Sequence, residues 1–160
     1  MGGSGGPRKI GDVKSLIDRA KQELREGEIV LRRNVFISFA YEDINEVNML
    51  RAHAKNDKSA IEFNDWSVSE PIDSDRAPYV KQKIRERISQ SSATVVFLSD
   101  KTSQSPWVAW EIQESLALGK HVVGVFAGNK PPANTPTAIT TNKIKCVPWA
   151  KLADTIEKLK

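Results

Sequence analysis

The run Ala93-Thr94-Val95-Val96-Phe97-Leu98, the segment Ser105-Pro106-Trp107-Val108-Ala109-Trp110-Glu111-Ile112 that continues to Gly119, and the run His121-Val122-Val123-Gly124-Val125-Phe126 together decide the fold of this chain. The outer two are rich in β-branched and aromatic residues and read as strands. The middle one carries helix signals. Ser105 offers a hydroxyl N-cap, Pro106 suits the first helical position, and Gly119 suits the residue just past the last turn. Strand, helix and strand in that order form a crossover unit, and such a unit joins parallel strands.

Working outward, the same alternation repeats. Val35-Phe36-Ile37-Ser38-Phe39 reads as a strand, 47–54 as a helix, Ala60-Ile61-Glu62-Phe63 as a strand, and 79–89 as a helix carrying Val80, Ile84 and Ile88. Beyond the central unit, Ile144-Lys145-Cys146-Val147 reads as a short strand and 152–159 as a closing helix. Strands apolar on both faces, alternating with helices, belong in a parallel sheet covered on both sides. The expected fold is therefore α/β, three-layered and flavodoxin-like, with a five-stranded parallel sheet in the order 2-1-3-4-5.

Ahead of this domain, Val13, Leu16, Ile17, Ala20 and Leu24 recur at helical spacing behind a potential Asp12 cap, which predicts an extra amphipathic helix over 12–26. Residues 1–7, Gly-rich and with no strand to aim them, read as a linker, 8–32 as the helix and its connection, and 33–160 as the main domain. The sequence has 160 residues, 39% hydrophobic and 28% charged, as expected of one globular α/β domain.

Charge and special residues narrow the function. A net charge of +4, from 24 basic and 20 acidic residues, is scattered and not interleaved with aromatics, which argues against nucleic acid. Cys146 is the single cysteine, and His53 and His121 stand far apart, so neither a disulfide framework nor a zinc site is expected. No apolar run approaches the ~20 residues that a bilayer span needs, and the expectation is a cytoplasmic protein with no membrane partner. GxxxxGK[ST], GxGxxG after a strand and HExxH are absent from the sequence, and Gly2-Gly3-Ser4-Gly5-Gly6, which fits the letters GxSxG, has no strand before it to make a nucleophile elbow.

In a sheet of order 2-1-3-4-5, ligands sit beyond the carboxyl ends of strands one and three. Strand one runs out into Ser38-Phe39-Ala40-Tyr41-Glu42-Asp43, and strand three leads through Ser99-Asp100 to Ser105, Trp107 and Glu111. Val108, Ile112 and Leu116, with Ala109 beside them, form the predicted buried stripe of the helix, which puts Trp107 and Glu111, spaced i and i+4, together on its flank. A receiver-type phosphoacceptor arrangement of Asp43, Asp100 and Lys130 fits less well, because the acids of strand one are displaced into the loop and the lysine comes one strand early. Taken alone, Glu111 also reads as a surface acid, and Trp107 and Trp110 as packing residues.

Arg33-Asn34-Val35-Phe36-Ile37-Ser38-Phe39-Ala40-Tyr41-Glu42-Asp43 resembles the opening strand of Toll/interleukin-1 receptor (TIR) domains, and Ser105-Pro106-Trp107-Val108-Ala109-Trp110-Glu111-Ile112 resembles their tryptophan-to-glutamate motif. The sequence is most similar to the TIR-like proteins of bacterial Thoeris antiphage systems, over roughly 33–160. That resemblance implies an NAD+ nucleosidase or ADP-ribosyl cyclase that makes an ADP-ribose-derived signal, read by a separate downstream effector. NAD+ would be substrate, with no permanently bound cofactor and no metal.

The resemblance puts the catalytic glutamate at Glu111. It puts the pocket at Phe39, Ala40 and Tyr41 and in the loop after strand two, with Trp66, to which the switch point between strands one and three adds Asp43, Asp100, Ser105 and Trp107 as candidate binding residues. One carboxylate suffices chemically, because nicotinamide leaves from a pyridinium that is already positive and needs no second acid to protonate it. Assembly into homo-oligomers is expected, with the acidic loop 64–75 facing Lys81, Lys83, Arg85 and Arg87 of a neighbour. The competing reading is a non-catalytic TIR-like interaction module that scaffolds partners.

Overall fold

The computed structural model describes residues 13–22, 33–56, 61–64 and 71–159. The chain divides into two compact units, 1–31 and 32–160. In the first, residues 13–22 are helical, and Val13, Leu16 and Ile17 are exposed. The remainder of the helix predicted over 12–26, with Leu24, lies outside the described residues.

The second unit holds the parallel sheet. Its strands are β1 (Arg33–Ser38), β2 (Ile61–Asn64), β3 (Ala93–Leu98), β4 (His121–Phe126) and β5 (Cys146–Pro148), all paired in parallel in the order β2-β1-β3-β4-β5. Among the described residues of this unit, five α-helices accompany them: α1 (Ile44–Asn56), α2 (Ala77–Gln90), α3 (Pro106–Ala117), α4 (Thr137–Thr141) and α5 (Leu152–Glu157). The architecture is the three-layered α/β arrangement that the sequence predicts. β3, central in the order, is buried along its whole length, which is why its sequence is a continuous apolar run.

Alternation along the strands sorts the core into two faces. Val35, Ile37 and Phe39 join Val95, Phe97 and Val123 on one face, packed with Val47 of α1 and with Leu152 and Ile156 of α5. On the other face, Phe36 packs with Val80, Ile84 and Ile88 of α2 and with Trp107 of α3, while Val96, Leu98 and Phe126 pack with Val108 and Ile112 of α3 and with Ile139 of α4. α3 therefore straddles two sub-cores, and its two flanks have different neighbours.

Element ends differ from the predicted ones for local reasons. β1 begins two residues early, where Arg33 and Asn34 pair with Ile61 and Glu62, and ends at Ser38 because the chain turns into a short 3-10 helix at Tyr41–Asp43. β5 lies later than predicted and ends in Pro148, which an edge strand tolerates because no ladder donor is required there. The helix α4 is absent from the sequence reading, since Thr-Ala-Ile-Thr-Thr is short and β-branched. α3 stops in a Schellman motif at Gly119, φ 71°, with the Lys120 amide donating to the Ser115 carbonyl at 2.9 Å and the Gly119 amide to Leu116 at 3.0 Å.

Two contacts brace the carboxyl-terminal elements. The Arg33 guanidinium donates to the carbonyls of Ile156 at 2.6 Å and Leu159 at 2.9 Å, and so caps the C-terminal end of α5. Gly124 sits where β4 approaches β5, and a Cβ there would lie 2.7 Å from the Cys146 sulfur and 3.0 Å from a Leu98 methyl. Burial pushes the Cys146 thiol pKa above its usual range.

Candidate functional site

The Ser105 hydroxyl accepts from the Val108 amide at 3.3 Å, and with Pro106 in the first turn it fixes where α3 starts. From that start, helical periodicity turns Trp107, Val108, Glu111, Ile112 and Ser115 inward. Trp107 and Glu111 share a flank, as their spacing predicts. That flank is covered: Trp107 is 7% exposed and Glu111 3%. Glu111 is thus a buried acid, contrary to its reading as a surface acid. Ala109, expected beside the stripe, is exposed: it adjoins Ile112 at the edge of the buried face and lies far round the helix from Trp107 and Glu111.

Around this flank the neighbours are aromatic, cationic and hydroxyl groups. Trp107 meets Trp110 edge to face, with ring centroids 5.8 Å apart at 88°. Lys81 and Arg85 of α2 lie over Trp110 at 5.5 Å and 5.4 Å, and Arg85 also pairs with Glu114 at 3.2 Å. Beneath the helix the Ser115 hydroxyl donates to the Glu111 carbonyl and is hydrogen-bonded to the Thr94 hydroxyl, both at 2.8 Å.

β1 supplies a group that the sequence reading passed over. Ser38, its last residue, is 0% exposed, and its hydroxyl has no hydrogen-bond partner among the described residues. Leaving such a group unmet costs about 1–3 kcal/mol. The available signal is one hydroxyl residue inside Val35-Phe36-Ile37-Ser38-Phe39, at a position whose alternation with Phe36 points it at the face covered by α2 and α3.

The other predicted residues go elsewhere. Phe39 packs in the core on the α1 side, Ala40 is buried at the turn, and Tyr41 stands 49% exposed at the start of the 3-10 helix. Asp43 and Asp100 come together with Glu46, Ser99, Lys101 and Lys130 around an open cleft of about 360 Å³ at the carboxyl ends of β1, β3 and β4. Asp43 is 3% exposed, and its carboxylate accepts the Ser99 hydroxyl, which ties the turn after β1 to the turn after β3. Neither Trp107 nor Glu111 lines this cleft. Trp66, with the rest of 65–70, lies outside the described residues. Among the described residues no group of three or more His, Cys, Asp or Glu could hold a metal ion, and no helix is long and apolar enough to cross a membrane.

A doubly wound parallel sheet of order 2-1-3-4-5, with an acid and a tryptophan one helical turn apart behind β3, is the TIR-type α/β fold. Residues 36–131 match the family model described as "Thoeris protein ThsB, TIR-like domain", and the chain belongs to that family. It is 29% identical over 99 residues to the curated "Putative cyclic ADP-D-ribose synthase ThsB1" of Bacillus cereus (strain MSX-D12), a match covering 59% of this chain and 52% of that protein. The chain thus spans about half the length of the curated relative it matches. Among solved structures, the Clostridium botulinum CMP N-glycosidase BcmB aligns at a TM-score of 0.49 and 13% identity, over 79% of this chain and 100% of that one. The TIR domains of the activated Roq1 resistosome align at 0.44 and 18%, over 78% and 69%.

Proposed function

We propose that this chain cleaves NAD+ at the nicotinamide–ribose bond and converts the ADP-ribosyl product, by cyclisation, into a diffusible signal for an antiphage effector. The observation that carries the reading is the burial of Glu111 on the Trp107 flank of α3, in a chain of the ThsB TIR-like family. The name of the Bacillus cereus relative supports the product class. An acid held away from bulk water is a strong electrostatic partner for a cation that develops beside it, because little solvent screens it or must reorganise. Its task is to stabilise the oxocarbenium-like ribose and orient the sugar hydroxyls, while nicotinamide leaves unassisted.

Ala40, Tyr41, Ser105, Trp107 and the loop residue Trp66 are proposed to border the dinucleotide, whereas Phe39 packs in the core on the α1 side and Asp43 and Asp100 line the neighbouring cleft. The test is NAD+ consumption by purified protein, with product analysis, for the wild type and Glu111→Gln. Glu111→Gln is expected to lose activity by about a hundredfold or more, the scale set by removing a preorganised charge-stabilising group. Wild-type turnover in that variant overturns the assignment, and no consumption by the wild type favours the scaffold reading.

Self-association through TIR–TIR contacts is part of the proposal. Specific activity is expected to rise with protein concentration and to fall with added salt, since screening shortens to ~8 Å near physiological ionic strength. A flat dilution series, with monomer throughout by light scattering, overturns it. Arg85 and Lys83 already pair within the chain, with Glu114 at 3.2 Å and Glu86 at 3.6 Å, which limits the attraction they offer to a neighbour.

A further inference from the structure

Ser38 and Glu111 come from segments far apart in sequence, yet the strand register and the helix rise put them at one level of the sheet. Phe36 pairs with Thr94 and Ser38 with Val96 in the β1–β3 ladder. α3 connects the parallel strands β3 and β4, so it runs antiparallel to both. The Ser115–Thr94 hydrogen bond, 2.8 Å long, pins the register of helix on strand. Stepping back one turn from Ser115 to Glu111 moves about 6 Å toward the carboxyl edge of the sheet. Stepping from Thr94 to Val96 moves about 6.6 Å in the same direction. Glu111 therefore stands over the level of Val96 and of its ladder partner, Ser38.

The flank assignment settles the side. Val108 and Ile112 face Phe126 and Ile139, toward β4, whereas Trp107 faces Phe36 and α2, toward β1. Glu111 follows Trp107 by one turn and so lies on the β1 side, and a helical side chain tilts toward its own N-terminus, here the carboxyl edge where β1 ends at Ser38. A buried hydroxyl with no partner among the described residues thus lies at the end of the strand next to a buried carboxylate.

Resting on the proposed NAD+ chemistry, we infer that Ser38 is a positioning residue for Glu111: with substrate bound, its hydroxyl donates to the Glu111 carboxylate and holds it in the rotamer that faces the ribose. No bond to substrate is formed or broken by Ser38. The hydroxyl is left unmet in the resting state and met in the working one, which explains why a costly group stands where alanine would pack as well.

The experiment compares Ser38→Ala, Ser38→Cys, Glu111→Gln and the wild type in steady-state NAD+ kinetics and thermal unfolding. Ser38→Ala is expected to lower kcat about ten- to a hundredfold, the scale of one hydrogen bond to a charged group, with KM within about twofold. Its Tm should equal or exceed that of the wild type, because an unmet buried hydroxyl is removed. Ser38→Cys, close in size and a weak donor, should fall between the two in kcat. A merely structural serine would instead lower Tm and leave kcat per folded molecule unchanged, and that result overturns the inference. Wild-type kcat in Ser38→Ala with Glu111→Gln inactive also overturns it while sparing the Glu111 assignment; turnover by Glu111→Gln, or none by the wild type, brings down both.

Discussion

The two faces of the sheet end differently at its carboxyl edge. On the α1 side, Asp43 is buried and satisfied: its carboxylate takes the Ser99 hydroxyl and locks two turns together beside an open cleft. On the α3 side, Ser38 is buried with its hydroxyl unmet among the described residues, and Glu111 is buried on the flank of α3 that faces the same strand. A satisfied acid is what a fold needs to hold its loops; an unmet polar group is a cost that folding alone does not explain. The contrast fits a bracing role for Asp43 and supports the proposal that places the chemistry on the α3 side.

The sharpest way to break that contrast is to remove one acid from each face. Glu111→Gln is expected to cost about a hundredfold or more in NAD+ turnover and to keep a Tm near that of the wild type. Asp43→Ala should do the reverse, lowering stability by about 1–3 kcal/mol in denaturant titration, because the Ser99 hydroxyl loses its partner, while turnover per folded molecule persists. Full stability with lost turnover in Asp43→Ala would move the chemistry to the α1-side cleft.

Gly124 sharpens the comparison from the packing side. Gly124→Ala places a methyl 2.7 Å from the Cys146 sulfur, and the expected overpacking is about 1–2 kcal/mol by the same titration. Stability equal to the wild type would mean that β5 moves freely aside. The smallest effect belongs to the surface. Arg85→Ala removes an exposed ion pair with Glu114 and a cation over Trp110, and about 0–1 kcal/mol is expected, shrinking with salt.

Much of the fold was legible in the sequence. Ala93–Leu98 and His121–Phe126 read correctly to the residue, since β-branched apolar runs bounded by turn residues have few alternatives. The start of α3 was legible from Ser105 and Pro106, and its end from Gly119, because capping is local chemistry. Alternation of strand and helix pointed to a parallel sheet, and 2-1-3-4-5 was expected as a common order for five such strands. What escaped was set by neighbours: α4 forms from a β-branched segment through its packing of Ile139 against Phe126 and Val108, and β1 lengthens because β2 pairs with Arg33 and Asn34.

For the candidate site the division is similar. The sequence by itself determined that an acid and a tryptophan share one helix flank behind the third strand, because a spacing of four residues fixes a common side of any α-helix. Only the tertiary structure decided that this flank is buried, that Asp43 and Asp100 gather round a cleft which Trp107 and Glu111 do not line, and that Ser38 ends its strand with an unmet hydroxyl at the level of Glu111. The physical reason is that periodicity fixes direction within one element, whereas burial and hydrogen-bond satisfaction depend on which other elements arrive, and at what register.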